Sequence, residues 1–241
     1  MSIVHVLPGD SLHETFKSAE IAGDVVICRE AFVTGPLDGD TLDDFWEMRS
    51  RFYESEDGAD PIQYHESVAG EFERLFDVSP GDEVNCWFEY ELFCSVNMWF
   101  CLDQLRDTGA KLFRITPEIA QSDKIWDGFG QHDEADLRRC FTGRIQFSDR
   151  DVSVASELWH AFRKGDLESI SKLGVYRSQC FPFLSDVCDA AVLLDTLPGE
   201  IVRELKGTGM NELGAVFPEF RRRAGVYGFG DTQVESLMRR V

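Results

Sequence analysis

Three short polar groups stand out, each directly after an apolar run that reads as a strand. They are Gly9-Asp10-Ser11 after Ile3 to Leu7, Arg29-Glu30 after Val25 to Cys28, and Glu89-Tyr90-Glu91 after Val84 to Phe88. Residues just beyond the C-terminal ends of neighbouring parallel strands converge on one crevice, which is where open α/β folds place ligands. Asp10, Arg29, Glu30, Glu89 and Glu91 would then face one space. Clustered carboxylates with one arginine suit a divalent cation carrying a phosphate ligand, or acid/base work on a polar substrate. In that reading Asp10, Glu30 and Glu89 do the chemistry, and Gly9, Ser11, Arg29, Gly35 and Glu91 contact the ligand. Strand ends are also polar simply because they meet water, so position alone does not separate a site from a solvated edge.

Gly9-Asp10-Ser11-Leu12 spells the GDSL signature, and in this it resembles a hydrolase superfamily whose serine attacks esters from a strand-to-helix turn. A serine nucleophile needs a base and an oriented partner. That superfamily takes them from an Asp-x-x-His near the C-terminus, whereas here the last histidine is His160 and the one such spacing, Asp10 to His13, lies inside the motif. Ser11-x-x-Glu14 before an apolar-periodic run predicts a capping box instead, with the Ser11 oxygen accepting the N–H of Glu14. Under either reading the helix start offers free backbone N–H groups to an anion. There is no GxGxxG and no GxxxxGK[ST] loop, and no histidine pair has a metal-ligand spacing.

The elements that must carry these groups alternate. After the first strand and the Pro8-Gly9 turn, Ser11 to Ile21 has apolar residues at helical spacing. Helices are predicted over Leu42 to Tyr53, capped by Thr41, over Ile62 to Phe76 and over Leu92 to Leu105, and a fourth strand over Lys111 to Ile115. Helix-length connections and the absence of Asn-Gly hairpin turns predict four parallel strands in the order 2-1-3-4, an α/β, Rossmann-like, mainly parallel sheet with helices on both faces. From Val152 the pattern is helical throughout, with segments at Val152 to Phe162, Leu167 to Leu173, Phe183 to Leu194, Glu200 to Leu205, Asn211 to Arg223 and Thr232 to Arg240. The expected division is an α/β domain over 1–150 and a helical C-terminal domain over 151–241.

The chain has 241 residues and 43% hydrophobic content, enough for a sizeable core. Of its net charge of −20, −18 falls within residues 1–150. Nucleic-acid affinity rests on cations meeting phosphates, so nucleic acid is not the expected partner. Seven cysteines without a CxxC pair sit mostly in apolar runs and read as reduced core residues. The start MSIVHVLPGD lacks the basic and long apolar regions of a signal peptide, and no segment is apolar enough for a membrane span, so a cytoplasmic protein is expected.

The runs HVLPGDSL, VVICREAFVTGP and WFEYELFCSVNMW, in this order and spacing, resemble the bacterial domain-of-unknown-function family 1835 over roughly residues 3–115. The later WHAF and FPFL segments resemble that family's helical C-terminal region. The resemblance implies that Gly9, Asp10, Ser11, Arg29, Glu30, Gly35, Pro36, Glu89 and Glu91 fall in the family's motifs, and it brings no assigned reaction. Two functions stand ahead of the GDSL-type esterase, which is kept only as a further alternative. One is a domain holding an anionic small molecule or nucleotide, with or without a divalent metal, at the sheet crevice. The other is an interaction or regulatory protein that works through its helical half.

Overall fold

The computed structural model of the chain describes residues 1–119 and 124–241. Five strands form one sheet: β1 (Ile3–Leu7), β2 (Asp24–Ile27), β3 (Glu83–Trp87), β4 (Lys111–Ile115) and β5 (Ile145–Gln146), ordered β2-β1-β3-β4-β5. The first four are parallel, in the order the helix-length connections predict, and β5 pairs antiparallel with β4. A two-residue strand has no alternation to read, which is why β5 has no counterpart in the sequence pattern.

Helices cover both faces. The first connection is α1 (Asp10–Ser18); the second contains α2 (Leu42–Asp57), α3 (Pro61–Tyr64), a π turn (His65–Ala69) and α4 (Gly70–Phe76). The third is α5 (Leu92–Leu105), and α6 (Glu134–Thr142) precedes β5. Strand alternation assigns the faces: Leu7, Trp87 and Ile115 pack with Leu12 and Phe16 of α1 and Leu137 of α6. Val4, Val6, Val84, Cys86 and Leu112 face the other way, toward Phe72 and Leu75 of α4 and the largely buried α5. His5 is fully buried on the α1 side, where Nδ1 accepts from Trp87 Nε1 at 3.0 Å and Nε2 donates to the Ala22 carbonyl at 3.1 Å. On the outer edge of β2, two α4 side chains reach the backbone. The Ile27 N–H donates to Glu71 at 3.0 Å, and Arg74 donates to the Val25 carbonyl at 3.1 Å.

The helical remainder consists of α7 (Asp149–Arg163), α8 (Leu167–Leu173), α9 (Leu184–Val192), α10 (Leu197–Gly207), α11 (Leu213–Ala224) and α12 (Asp231–Arg240). Ser148 caps α7 with a full capping box to Asp151. Val154, Leu158 and Trp159 of α7 pack into the same buried cluster as α5, and this cluster runs from Val4 to Val234 across residue 150. All seven cysteines are free and buried. Among the described residues, no helix is long and apolar enough to cross a membrane.

Candidate functional site

The polar groups beyond the strand ends separate into three environments instead of sharing one space. Asp10, the first residue of α1, is exposed and meets Arg29 in a two-bond pair, Nε to Oδ2 at 2.8 Å and Nη2 to Oδ1 at 2.9 Å. The hydrogen bond from Arg29 holds the Asp10 carboxyl below its usual range. Arg29 also donates Nη1 to the Ser67 carbonyl in the π turn at 2.9 Å.

Glu30 does not join this pair. Successive residues of an extended segment point to opposite sides, so Arg29 faces out and Glu30 faces in. Its carboxylate takes Arg49 Nη2 at 2.6 Å and Nε at 3.2 Å, the Ala31 N–H at 2.8 Å and the Tyr53 hydroxyl at 3.2 Å. It also accepts the Tyr64 hydroxyl. Burial, followed by the Glu30 charge, pushes both tyrosines upward in pKa. Arg49 donates further to the Thr34 and Pro36 carbonyls at 2.6 and 3.1 Å. Asn97 of α5 donates to the Glu30 carbonyl at 2.6 Å and accepts the Phe32 N–H at 3.2 Å. Glu30 therefore anchors the loop after β2, and no lone pair is left facing a crevice. Gly35 belongs to this loop. Its φ of +77 and a ring atom of Phe52 only 2.6 Å from where a Cβ would stand explain the glycine.

The capping box predicted at Ser11 is absent. Helix α1 starts two residues earlier than that reading needs, so Ser11 is an exposed residue of its first turn, Gly9 is the N-cap, and no side chain caps the helix. Ser11 also has no hydrogen-bonded histidine among the described residues. The backbone at Gly9 is extended, and nothing lies within 4 Å of where its Cβ would be.

The third environment follows β3. Glu89 and Glu91 lie two apart, and the chain bends at Tyr90 and Glu91 so that a carboxylate oxygen of each comes within 4.8 Å of the other. Glu91 is the N-cap of α5, an uncommon residue there. Its two oxygens share the single N–H of Cys94, both at 3.2 Å, and it is 3% exposed. Glu89 is partly exposed and accepts the Phe129 N–H at 2.7 Å. Among the described residues, neither carboxylate has a Lys, Arg or His nitrogen within 4.0 Å. Burial first and the Glu89 charge second push the Glu91 carboxyl up to about 8. Burial also raises Glu89, against the opposing hydrogen bond from Phe129.

Two glycines in left-handed backbone close on this pair. A Cβ on Gly128 would stand 2.0 Å from the Glu89 carboxyl, and one on Gly228 would stand 2.4 Å from the Glu91 side chain. Gly228 comes from the helical half, which reaches the same loop through Arg221 to Asp127 at 3.3 Å and through Gly225 against Trp126. Arg114 of β4 is 3% exposed and donates Nη2 to the Glu89 carbonyl at 2.9 Å, and its Nε has no partner among the described residues.

The site thus depends on residues that the motif reading did not select. Arg114 had a signal, because it shares the core-facing side of its strand with Leu112 and a charge is rarely buried there without a purpose. Arg49 had a similar one, lying three and four residues after the buried Trp46 and Phe45 on α2. Gly128 and Gly228 had none. Comparison of the chain with family models, with curated proteins and with solved structures returns no match.

Proposed function

We propose that the chain binds a small anionic molecule, a phosphorylated metabolite or nucleotide, at the C-terminal edge of its sheet between the turn after β1 and the segment after β3. The start of α1 carries this reading. The chain leaves β1 toward β2 on one side and leaves β3 toward β4 on the other, and open α/β sheets bind ligands where the connections diverge in this way. There the first turn of α1 presents uncapped N–H groups, with open space over Gly9. An anion gains from both those donors and the helix dipole. The Asp10 charge at this turn is neutralised by Arg29, so it is not set against an incoming anion. On the motifs quoted above we also propose membership in the domain-of-unknown-function family 1835.

Replacing Gly9 by Asp tests the reading without harming the fold. Aspartate is the better N-cap by a few tenths of a kcal/mol, and the extended backbone and open space admit it. Its carboxylate then occupies the N–H groups the anion needs. Thermal unfolding followed against inorganic phosphate and nucleoside phosphates should show a melting temperature that rises with ligand concentration for the wild type. Gly9→Asp should melt slightly higher on its own and lose that response. A wild type indifferent to every anion, or a variant that responds as the wild type does, ends the proposal.

A further inference from the structure

We propose that Glu89, Glu91 and Cys94 hold one borderline transition-metal ion of the Zn2+ or Co2+ type, with a fourth coordination position left for a donor oxygen of the ligand. This deepens the anion-binding reading and rests on it for the fourth position alone.

The first support is the donor set. One carboxylate oxygen from each glutamate and the Cys94 Sγ all lie within 4.8 Å of one another. Glu91 and Cys94 are three apart at the start of α5 and so share a helix face, and Glu89 approaches from the bent segment before it. Ligand atoms around a tetrahedral Zn2+ stand about 3.5 Å apart, a contraction that side-chain rotation supplies. The second support is the missing countercharge. Glu30 shows how this protein treats a buried carboxylate that only holds structure, giving it Arg49 and three further donors. Glu91, buried to the same degree, receives one shared N–H.

The third support is independent of both. Among the described residues one donor close to the cluster is buried without a partner, the Nε of Arg114, a residue 3% exposed whose charge acts on both carboxylates. Arg114 is also bonded to the Glu89 carbonyl through Nη2 at 2.9 Å. A buried donor is rarely left unmet, so the Arg114 Nε points to an occupant with acceptor atoms, such as an anion bound to the metal. The glycine cradle from Gly128 and Gly228 encloses the carboxylates and raises the cost of leaving their charge uncompensated. A thiolate beside two carboxylates selects against Mg2+ and Ca2+, which take oxygen ligands. The helix N-terminus opposes a cation with about half a charge, far less than the two or three negative charges of the ligands.

The test is a Co2+ titration of the full, reduced, chelator-treated chain, read by absorbance. The expected result is one equivalent bound, with a thiolate-to-cobalt charge-transfer band in the near ultraviolet. Cys94→Ser should abolish that band, and Glu89→Gln should keep it while weakening Co2+ binding at least tenfold. A wild type without the band overturns the proposal, and so does a band that persists in folded Cys94→Ser. Should Cys94→Ser fail to fold, Glu89→Gln decides, and unchanged affinity in that variant overturns it. Failure here is distinct from failure of anion binding, because the phosphate response of the metal-free chain and its loss in Gly9→Asp are measured without cobalt.

Discussion

Glu30 and Glu91 are both buried, at 2% and 3% exposure, and both follow a strand of the same sheet within a few residues, yet their surroundings are opposite. Glu30 sits in a closed set of donors whose other members hold the loop from Ala31 to Pro36. Glu91 sits against another carboxylate and a thiol, with one amide for company. Burial by itself therefore says little about role. What separates an anchor from a candidate reactive group is whether the fold has already supplied the partner. A carboxylate with every lone pair engaged has nothing left to offer a ligand, whereas one without a countercharge is held ready for a proton or a cation.

The largest expected effect breaks the anchor. Arg49→Met leaves Glu30 buried and unpaired and should cost about 3 to 5 kcal/mol in urea unfolding, because the penalty of an uncompensated buried charge comes due. A loss below about 1 kcal/mol would mean that the Glu30 network is not what holds the loop.

The next effect sharpens the contrast at Glu91. Its carboxyl is raised to about 8 in the folded, metal-free chain from an ordinary 4.5. Between those values the folded chain keeps a proton that the unfolded chain has released, so its contribution to stability is full below pH 4.5 and is lost as pH rises toward 8. The slope reaches about 1.4 kcal/mol per pH unit for one proton. Glu91→Gln should flatten stability against pH over this window, as chemical denaturation at several pH values would show. An equally steep fall in the variant assigns the proton elsewhere.

His5 supplies a slope of the opposite sign. Burial lowers its pKa from 6.5, so the unfolded chain binds the proton first, and stability should fall as pH drops below about 6.5. His5→Gln, which can still accept from Trp87 and donate to Ala22, should remove that acid-side decline. If the decline survives the substitution, other groups cause it.

The smallest effect concerns Ser11. Without a capping bond, Ser11→Ala should change stability by less than about 0.5 kcal/mol, against about 1 kcal/mol for a true N-cap. A loss near the larger value would restore the capping role that the Ser11-x-x-Glu14 spacing suggests.

The sheet order was legible because each of the first four strands is a compact apolar run separated by helix-length segments, and the bounds of α5 and α8 follow directly from their apolar patterns. The loop after β2 was legible as polar but not in its direction. Glu30 turns inward to meet Arg49, Tyr53 and Tyr64, which lie 19 to 34 positions later, and no local spacing announces that meeting. Ser11 misled because the capping-box pattern is a statement about a helix starting at that residue, and the extended Gly9 starts it earlier. Glu89 and Glu91 do follow β3, where the sequence placed them. What makes them unusual, the two glycines and Arg114 closing around them, comes from distant parts of the chain that only folding assembles.

The outer edge of β2 carries one more consequence. In a parallel sheet, a neighbouring strand would engage the Val25 carbonyl and the Ile27 N–H together, as one adjacent acceptor and donor. Arg74 and Glu71 already hold that acceptor and that donor. The sheet thus arrives at its exposed margin with the two groups that would recruit another chain answered by side chains of its own helix, and edge-to-edge growth into aggregates is blocked at the first rung. Losing Glu71 or Arg74 would therefore be felt in how the protein behaves in crowded solution before it was felt in how tightly it folds.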